Sequence, residues 1–221
     1  MSAEAELNPA EVAGAPLEGQ GERKTNPWGT LLTVAFGVVM VGLDATVVSI
    51  ANPAIGRDLH ASLADLQWIT NAYLLALAVV LIPGGKLGDR YGRRLIFMIG
   101  VVGFAVTSVG VAVIGSVAGV IVMRALQGAF GALLLPNTIA LLRAAFPPEE
   151  LNRAVGIWSA CSAAAIAGAP VIGGVLVEDV SWQSVFFLNV PIAIATVVIG
   201  LAVMPESRES VRERLDRKSV V

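Results

Sequence analysis

The chain has 221 residues, of which 56% are hydrophobic and 14% charged, and its mean hydropathy is +0.76. A soluble core of that length needs far less apolar surface, so the composition points to a membrane protein. A net charge of −2 with a pI near 5.4 excludes a nucleic-acid surface, and one cysteine, Cys161, with one histidine, His60, excludes a disulfide framework and a His/Cys metal site.

Residues 1–27 are rich in Glu, Ala, Gly and Pro without an apolar period, which predicts a disordered cytoplasmic tail. They are not a secretory signal, because acids precede an apolar run too long for a cleaved segment. Charge-poor runs follow and predict a six-helix transmembrane lobe over 28–205, with helices near 28–51, 66–86, 94–115, 118–142, 154–177 and 183–204. Each run supports about 20 residues of helix, enough to cross roughly 30 Å of hydrocarbon. Leu95 to Leu142 contains a single charge and would be about 72 Å long as one helix, so it must be a hairpin turning near Gly115 to Gly119. Residues 206–221 are polar and charge-mixed and predict a second cytoplasmic tail.

Orientation follows from where Lys and Arg fall. With the N-terminus inside, 13 of the 15 lie on cytoplasmic segments, leaving Arg57 outside and Arg124 within the fourth helix. Both termini are therefore expected in the cytoplasm of a multi-pass protein of the cell membrane. The outer loops carry the acids Asp58, Asp65, Glu178 and Asp179.

Asp44 in the first helix and Arg124 in the fourth are the ionisable residues deep in the spans, and each costs about 2.5–3.5 kcal/mol at a helix centre, which marks such residues as functional. Asp44 lies about 24 Å along helix 1 from the cytoplasmic end, and Arg124 about 9 Å along helix 4 from the outer end. In a core of about 30 Å these depths nearly coincide. The two are expected to share one water-accessible pocket as an ion pair; the alternative is two side chains snorkelling to the outer interface. A carboxylate beside a guanidinium can switch between an ionised, paired state and a protonated one, which is what exchange of a proton for cargo needs.

The segment between the second and third helices reads Gly85-Lys86-Leu87-Gly88-Asp89-Arg90-Tyr91-Gly92-Arg93-Arg94, a net charge of +3 with glycines suited to a tight bend. Its order resembles the G-x-L-x-D-x-x-G-R-[RK] signature of the major facilitator superfamily. Arg124-Ala125-Leu126-Gln127-Gly128 is similar to that family's R-x-x-Q-G. Gly168-Ala169-Pro170-Val171-Ile172-Gly173-Gly174 resembles the antiporter signature G-x-x-x-G-P-x-x-G-G, with Ala165 and Ala169 where the pattern has glycine. Leu43 to Pro53, Gln67 to Tyr73 and Trp182 to Pro191 are similar to the 14-helix drug:proton antiporter branch. The last of these departs from W-R-W-x-F-x-x-N-x-P at Gln183 and Ser184.

The resemblance covers residues 28 to about 217. It implies an all-α membrane protein, the six-transmembrane-helix N-terminal lobe of the major facilitator fold, built as two inverted three-helix repeats. It implies proton-coupled efflux of drugs or antibiotics, with Asp44, Arg124 and Gln127 at the coupling site and cavity. Gly85, Asp89, Arg90, Gly92, Arg93 and Arg94 would form a cytoplasmic gate, where Asp89 faces a helix N-terminus of the other half and pairs with nearby arginines. Gly168, Pro170, Gly173 and Gly174 would be the helix-5 motif, and Asn71, Tyr73 and Asn137 would line a substrate cavity or bond between helices. No metal or cofactor is expected, the proton gradient being the energy source. No enzymatic activity is expected either, because a lipid-headgroup transferase would need clustered carboxylates and Asp89 stands among bases.

Expected partners are the lipid bilayer, a small lipophilic or cationic substrate, and either a missing C-terminal lobe or a second copy of the chain. Three readings of the length stand at this point: an incomplete or frame-shifted gene product, a half-size protein that pairs with itself, or one that pairs with a separate partner. A non-transporting vestigial or interaction lobe is the alternative to transport.

Overall fold

The computed structural model describes residues 26–204. The expectations for both tails, and for the cations they carry, lie outside these residues. The described residues form helices α1 (Pro27–Asp58), α2 (Leu63–Tyr91), α3 (Arg93–Val113), α4 (Val117–Ala145), α5 (Pro148–Asp179), α6 (Trp182–Phe187) and α7 (Asn189–Val203). Six spans, with α6 and α7 together as the sixth, are long and apolar enough to cross a membrane.

Local chemistry sets the helix starts. Asn26 caps α1, its side-chain oxygen accepting from Gly29 N–H at 3.1 Å, and Pro27 sits at the first helical position where a missing N–H costs nothing. Ser62 and Asp65 form a reciprocal capping box on α2. Ser116 caps α4. The hairpin turn falls at residues 114–116, at the near edge of the interval expected for it.

Most spans exceed the expected bounds. The first runs on from residue 51 to Asp58, through Pro53, and the fifth starts at Pro148 rather than residue 154. Hydropathy ends where charges begin, but the backbone ladder does not: Arg57 and Asp58 complete the last turn of α1, and Glu149 and Glu150 favour the first turn of α5. The sixth span departs the other way. It is interrupted at Leu188, whose backbone stays helical (φ −57°, ψ −29°). Pro191, one turn on, has no N–H to offer the Phe187 carbonyl, so the ladder breaks there.

The segment 85–94 also differs from the tight bend expected. Gly85 and Gly88 lie inside α2, and the chain turns at Gly92 alone, at φ 105°, a conformation only glycine adopts without strain. Gly88 serves packing instead: a Cβ there would collide with the Asn137 side chain of α4.

The packing has an internal symmetry. α2 rests chiefly on α4 and α5 on α1, while α3 packs on α4 and the sixth span on α1. Exchanging the first three spans with the last three maps this pattern onto itself, and with three spans per unit the two copies run in opposite directions, as inverted repeats do.

Candidate functional site: a polar seam between the repeats

Three apolar clusters fill the lobe; the smallest, Leu43, Val47, Ala165, Ala169 and Val185, lies where α1 meets α5 and the sixth span, and the two larger ones mark the ends. One, around Leu31, Val34, Phe97, Leu134, Leu141 and Leu142, occupies the end that bears the basic 86–94 segment. The other, around Val48, Ile55, Ile69, Val111, Trp182 and Phe186, occupies the opposite end. Between them lie the buried polar side chains of Asp44, Ser108, Arg124, Gln127 and Asn189. A buried charge is tolerated only when paired and hydrogen-bonded, and the geometry meets that condition.

Asp44 and Arg124 meet directly. Arg124 Nη1 donates to Asp44 Oδ2 at 2.6 Å, and both side chains are 1% exposed. The same nitrogen donates to Gln127 Oε1 at 2.7 Å, and Gln127 Nε2 donates to Asp44 Oδ1 at 2.9 Å, closing a three-residue ring. Arg124 and Gln127 can share one carboxylate because they stand three residues apart on one face of α4. Beneath them the Tyr73 ring of α2 lies 4.2 Å from the guanidinium carbon, a cation–π contact. The burial corrects one expectation: the ion pair is sealed from water in this conformation, so the pocket anticipated around it is not open.

Two residues without an assigned role complete the cluster. Asn189 Nδ2 donates to Asp44 Oδ1 at 3.4 Å and to Ser108 Oγ at 2.9 Å, and Ser108 Oγ–H donates to the Phe186 carbonyl at 2.9 Å. Two signals marked Asn189 in the sequence: it stands two residues before Pro191 in a long apolar run, and it falls on the N of the W-R-W-x-F-x-x-N-x-P pattern that Trp182 to Pro191 resembles. Nearly every contact of the cluster joins the first repeat (Asp44, Tyr73, Ser108) to the second (Arg124, Gln127, Asn189). The Arg124 Nε and the Tyr73 hydroxyl are buried without a hydrogen-bond partner among the described residues.

Gly128 explains how α2 reaches this cluster. A Cβ at Gly128 would overlap the Tyr73 carbonyl oxygen, so the glycine that ends Arg124-Ala125-Leu126-Gln127-Gly128 lets the α2 backbone settle onto α4 with Tyr73 under Arg124.

The other candidates divide. Asn137 does not line a cavity: its amide donates to the carbonyls of Gly84 at 3.3 Å and Leu133 at 2.7 Å, fastening α4 to α2. Tyr73, likewise, is buried against Arg124 rather than facing an open space. Asn71 is exposed and borders a groove of about 560 Å³ between α1 and α2 with Ser49, Asn52, Gln67 and Thr70. In the helix-5 motif, Gly173 approaches Val47 of α1, whereas Gly168 and Gly174 face open space and Pro170 is exposed. Ala165 and Ala169, where the pattern has glycine, are the residues buried there.

At the basic end, Asp89 accepts from Arg93 Nη2 at 3.0 Å across the Gly92 turn, beside the start of α3. Arg94 Nη2 donates to the Leu201 carbonyl in the last turn of α7 at 3.0 Å, a cation satisfying a helix C-terminus. Arg90 lies over the Tyr91 ring, and Gly85 packs near Pro136. Because the Asp89 side chain is 53% exposed, Asp89→Asn is expected to change the unfolding free energy of the chain by under about 1 kcal/mol, read from denaturant titration in micelles. At the opposite end Trp182 Nε1 donates to Asp58 at 2.9 Å, which holds the start of the sixth span to the end of α1. Among the described residues no group of His, Cys, Asp or Glu could hold a metal ion.

Comparison with known proteins agrees with this architecture. The Major Facilitator Superfamily profile matches residues 34–220. The chain is 56% identical over 208 residues to the tetracenomycin C resistance and export protein of Streptomyces glaucescens, covering 94% of this chain and 38% of that one. It is 39% identical to the multidrug efflux pump LfrA of Mycolicibacterium smegmatis, covering 89% and 39%. It is 34% identical to the puromycin resistance protein pur8 of Streptomyces alboniger, covering 98% and 42%. The chain thus spans about two fifths of the length of these relatives. The fold matches the crystal structure of the peptide transporter POT in complex with sulfate at a TM-score of 0.69 and 19% identity, over 80% of this chain and 37% of that one. With six membrane-length helices in two inverted repeats and a family profile over most of its length, this chain is a multi-pass membrane protein that belongs to the major facilitator superfamily of transporters.

Proposed function

We propose that this chain is the first lobe of a proton-coupled exporter of small lipophilic or cationic compounds, resident in the cell membrane with both termini in the cytoplasm. The observation that carries the proposal is the sealed Asp44–Arg124–Gln127 ring at the crossing of α1 and α4. In it a carboxylate holds a guanidinium that cannot give up its own charge. When a proton from the outer phase neutralises Asp44, the attraction across the seam falls and Arg124 needs another partner, so proton uptake and rearrangement of the lobe are linked. The reverse step releases the proton on the cytoplasmic side as the ring closes. No cofactor takes part in this cycle.

A second lobe completes the carrier. α2 and α5 are the least buried of the spans, exposing Leu74, Leu75, Val79 and Ile82 on one and Ile166, Val171 and Val175 on the other. These faces, and the two-fifths coverage of the relatives, support a partner lobe against α2 and α5, with cargo held between the lobes. The names of the relatives, a tetracenomycin C exporter and a multidrug pump among them, support antibiotic-like cargo.

The test is proton-driven accumulation of ethidium in inverted membrane vesicles, with this chain expressed alone and together with the second half of the Streptomyces glaucescens relative. Accumulation is expected with both halves present. Asp44→Asn should reduce it to the level of vesicles lacking the chain while leaving membrane insertion intact. Unchanged accumulation in Asp44→Asn would remove that residue from coupling, and no accumulation with both halves present would favour a non-transporting lobe.

A further inference from the structure

The break in the sixth span is wired to the carboxylate. Ser108 of α3 bonds both flanks of that break: its hydroxyl donates to the Phe186 carbonyl before it and accepts from the Asn189 amide after it. The second amide hydrogen of Asn189 goes to Asp44 Oδ1. All three side chains are buried, so no solvent competes for these bonds. We infer that Asn189 and Ser108 are positioning residues that transmit the proton occupancy of Asp44 to the break between α6 and α7.

The direction follows from the charge on the carboxyl and the lengths of the bonds it accepts. Ionised, Asp44 accepts from Arg124, Gln127 and Asn189 on two acceptor oxygens, two of these bonds falling on Oδ1. A proton on the carboxyl takes one of its four lone-pair sites and removes its charge, so all three accepted bonds lose their charge assistance and weaken. The longest bond, at 3.4 Å from Asn189, is the first to yield, against 2.6 Å and 2.9 Å for the other two. Asn189 then rests on Ser108 alone, and the tie between α1 and the start of α7 is gone. The ladder is already weakened at Leu188, because Pro191 offers no N–H to the Phe187 carbonyl, so bending there gives up fewer backbone bonds than elsewhere in the span. The charged and titratable groups against Asp44 are Arg124 on α4 and, beyond its guanidinium, the Tyr73 phenol on α2; the side-chain amide of Asn189 bonds Asp44 and Ser108.

This inference rests on the coupling reading above, and its test separates the two. Hydrogen–deuterium exchange of the purified chain in nanodiscs reads the amides of residues 186–190, with 137–142 of α4 as the internal reference. Asp44→Asn, which keeps one carbonyl oxygen and no charge, is expected to speed exchange at 186–190 by about three- to tenfold, the weight of one lost hydrogen bond, with the reference unchanged. Asn189→Ala and, independently, Ser108→Ala should do the same, and combining Asp44→Asn with Asn189→Ala should add little to either alone. Exchange at the break equal to wild type in Asp44→Asn overturns the inference, as does a rise shared equally by the reference segment. Faster exchange at the break together with intact vesicle uptake in Asp44→Asn would sink the coupling reading instead.

Discussion

Asp44→Leu alone is expected to destabilise the lobe by about 3–5 kcal/mol, and Arg124→Met added to it should return most of that loss. The single change leaves a guanidinium that is 1% exposed without its anion. What remains to it is the Gln127 oxygen at 2.7 Å and the face of Tyr73 at 4.2 Å, contacts worth about 1–2 kcal/mol each. Arginine cannot shed its charge, so the penalty stands. Arg124→Met alone should cost less than Asp44→Leu, because a carboxyl group stripped of its partner can take up a proton and become neutral. The order Asp44→Leu worst, Arg124→Met intermediate and the double variant mildest is read from unfolding in mixed micelles. A double variant worse than Asp44→Leu would mean that the pair does not determine the stability of the seam.

The pair was legible because a membrane gives charge in a helix a single meaning. Two opposite charges at matching depth on helices of opposite direction have one economical arrangement, and chain order with a rise per residue locates it. Ser108 has no such signal, and the motif position of Asn189 marks the residue without saying what it touches. An asparagine in an apolar helix is compatible with a helix-packing bond, a cavity wall or a cap, and only the rotation of the sixth span about its break at Leu188 directs it to Asp44.

The same reasoning covers Asn137, for which the sequence leaves a cavity wall and a bond between helices equally open and the structure gives the second, to the Gly84 carbonyl. Its role depends on which face of α4 meets α2, a tertiary fact that hydropathy does not carry. The glycines of 85–92 suit a bend because glycine permits one, yet Gly88 is there for the Asn137 side chain and Gly92 alone for the turn. At α1 and α5 the helix outruns the apolar stretch for a related reason: apolarity reports where lipid stops, and capping and first-turn charges report where the helix stops.

Two glycines that sit in similar motifs should respond to alanine with opposite signs. Gly168 has no neighbour within 4 Å of a would-be Cβ, so Gly168→Ala should gain helix propensity, up to about 1 kcal/mol, and raise the unfolding midpoint of the isolated chain slightly. Gly128→Ala gains the same propensity but drives a methyl group into the Tyr73 backbone, which cannot rotate away as a side chain would. Overpacking of this kind costs about 1–3 kcal/mol, enough to outweigh the propensity gain. The strain is relieved only by moving α2 off α4, which lifts Tyr73 from Arg124 and exposes the ring around Asp44. Gly128→Ala should therefore lower the unfolding midpoint, and Tyr73→Leu, which removes the cation–π contact without pushing the helices apart, should cost less. If Gly128→Ala proves as stable as Gly168→Ala, the close approach of α2 to α4 is not what seats the ion pair.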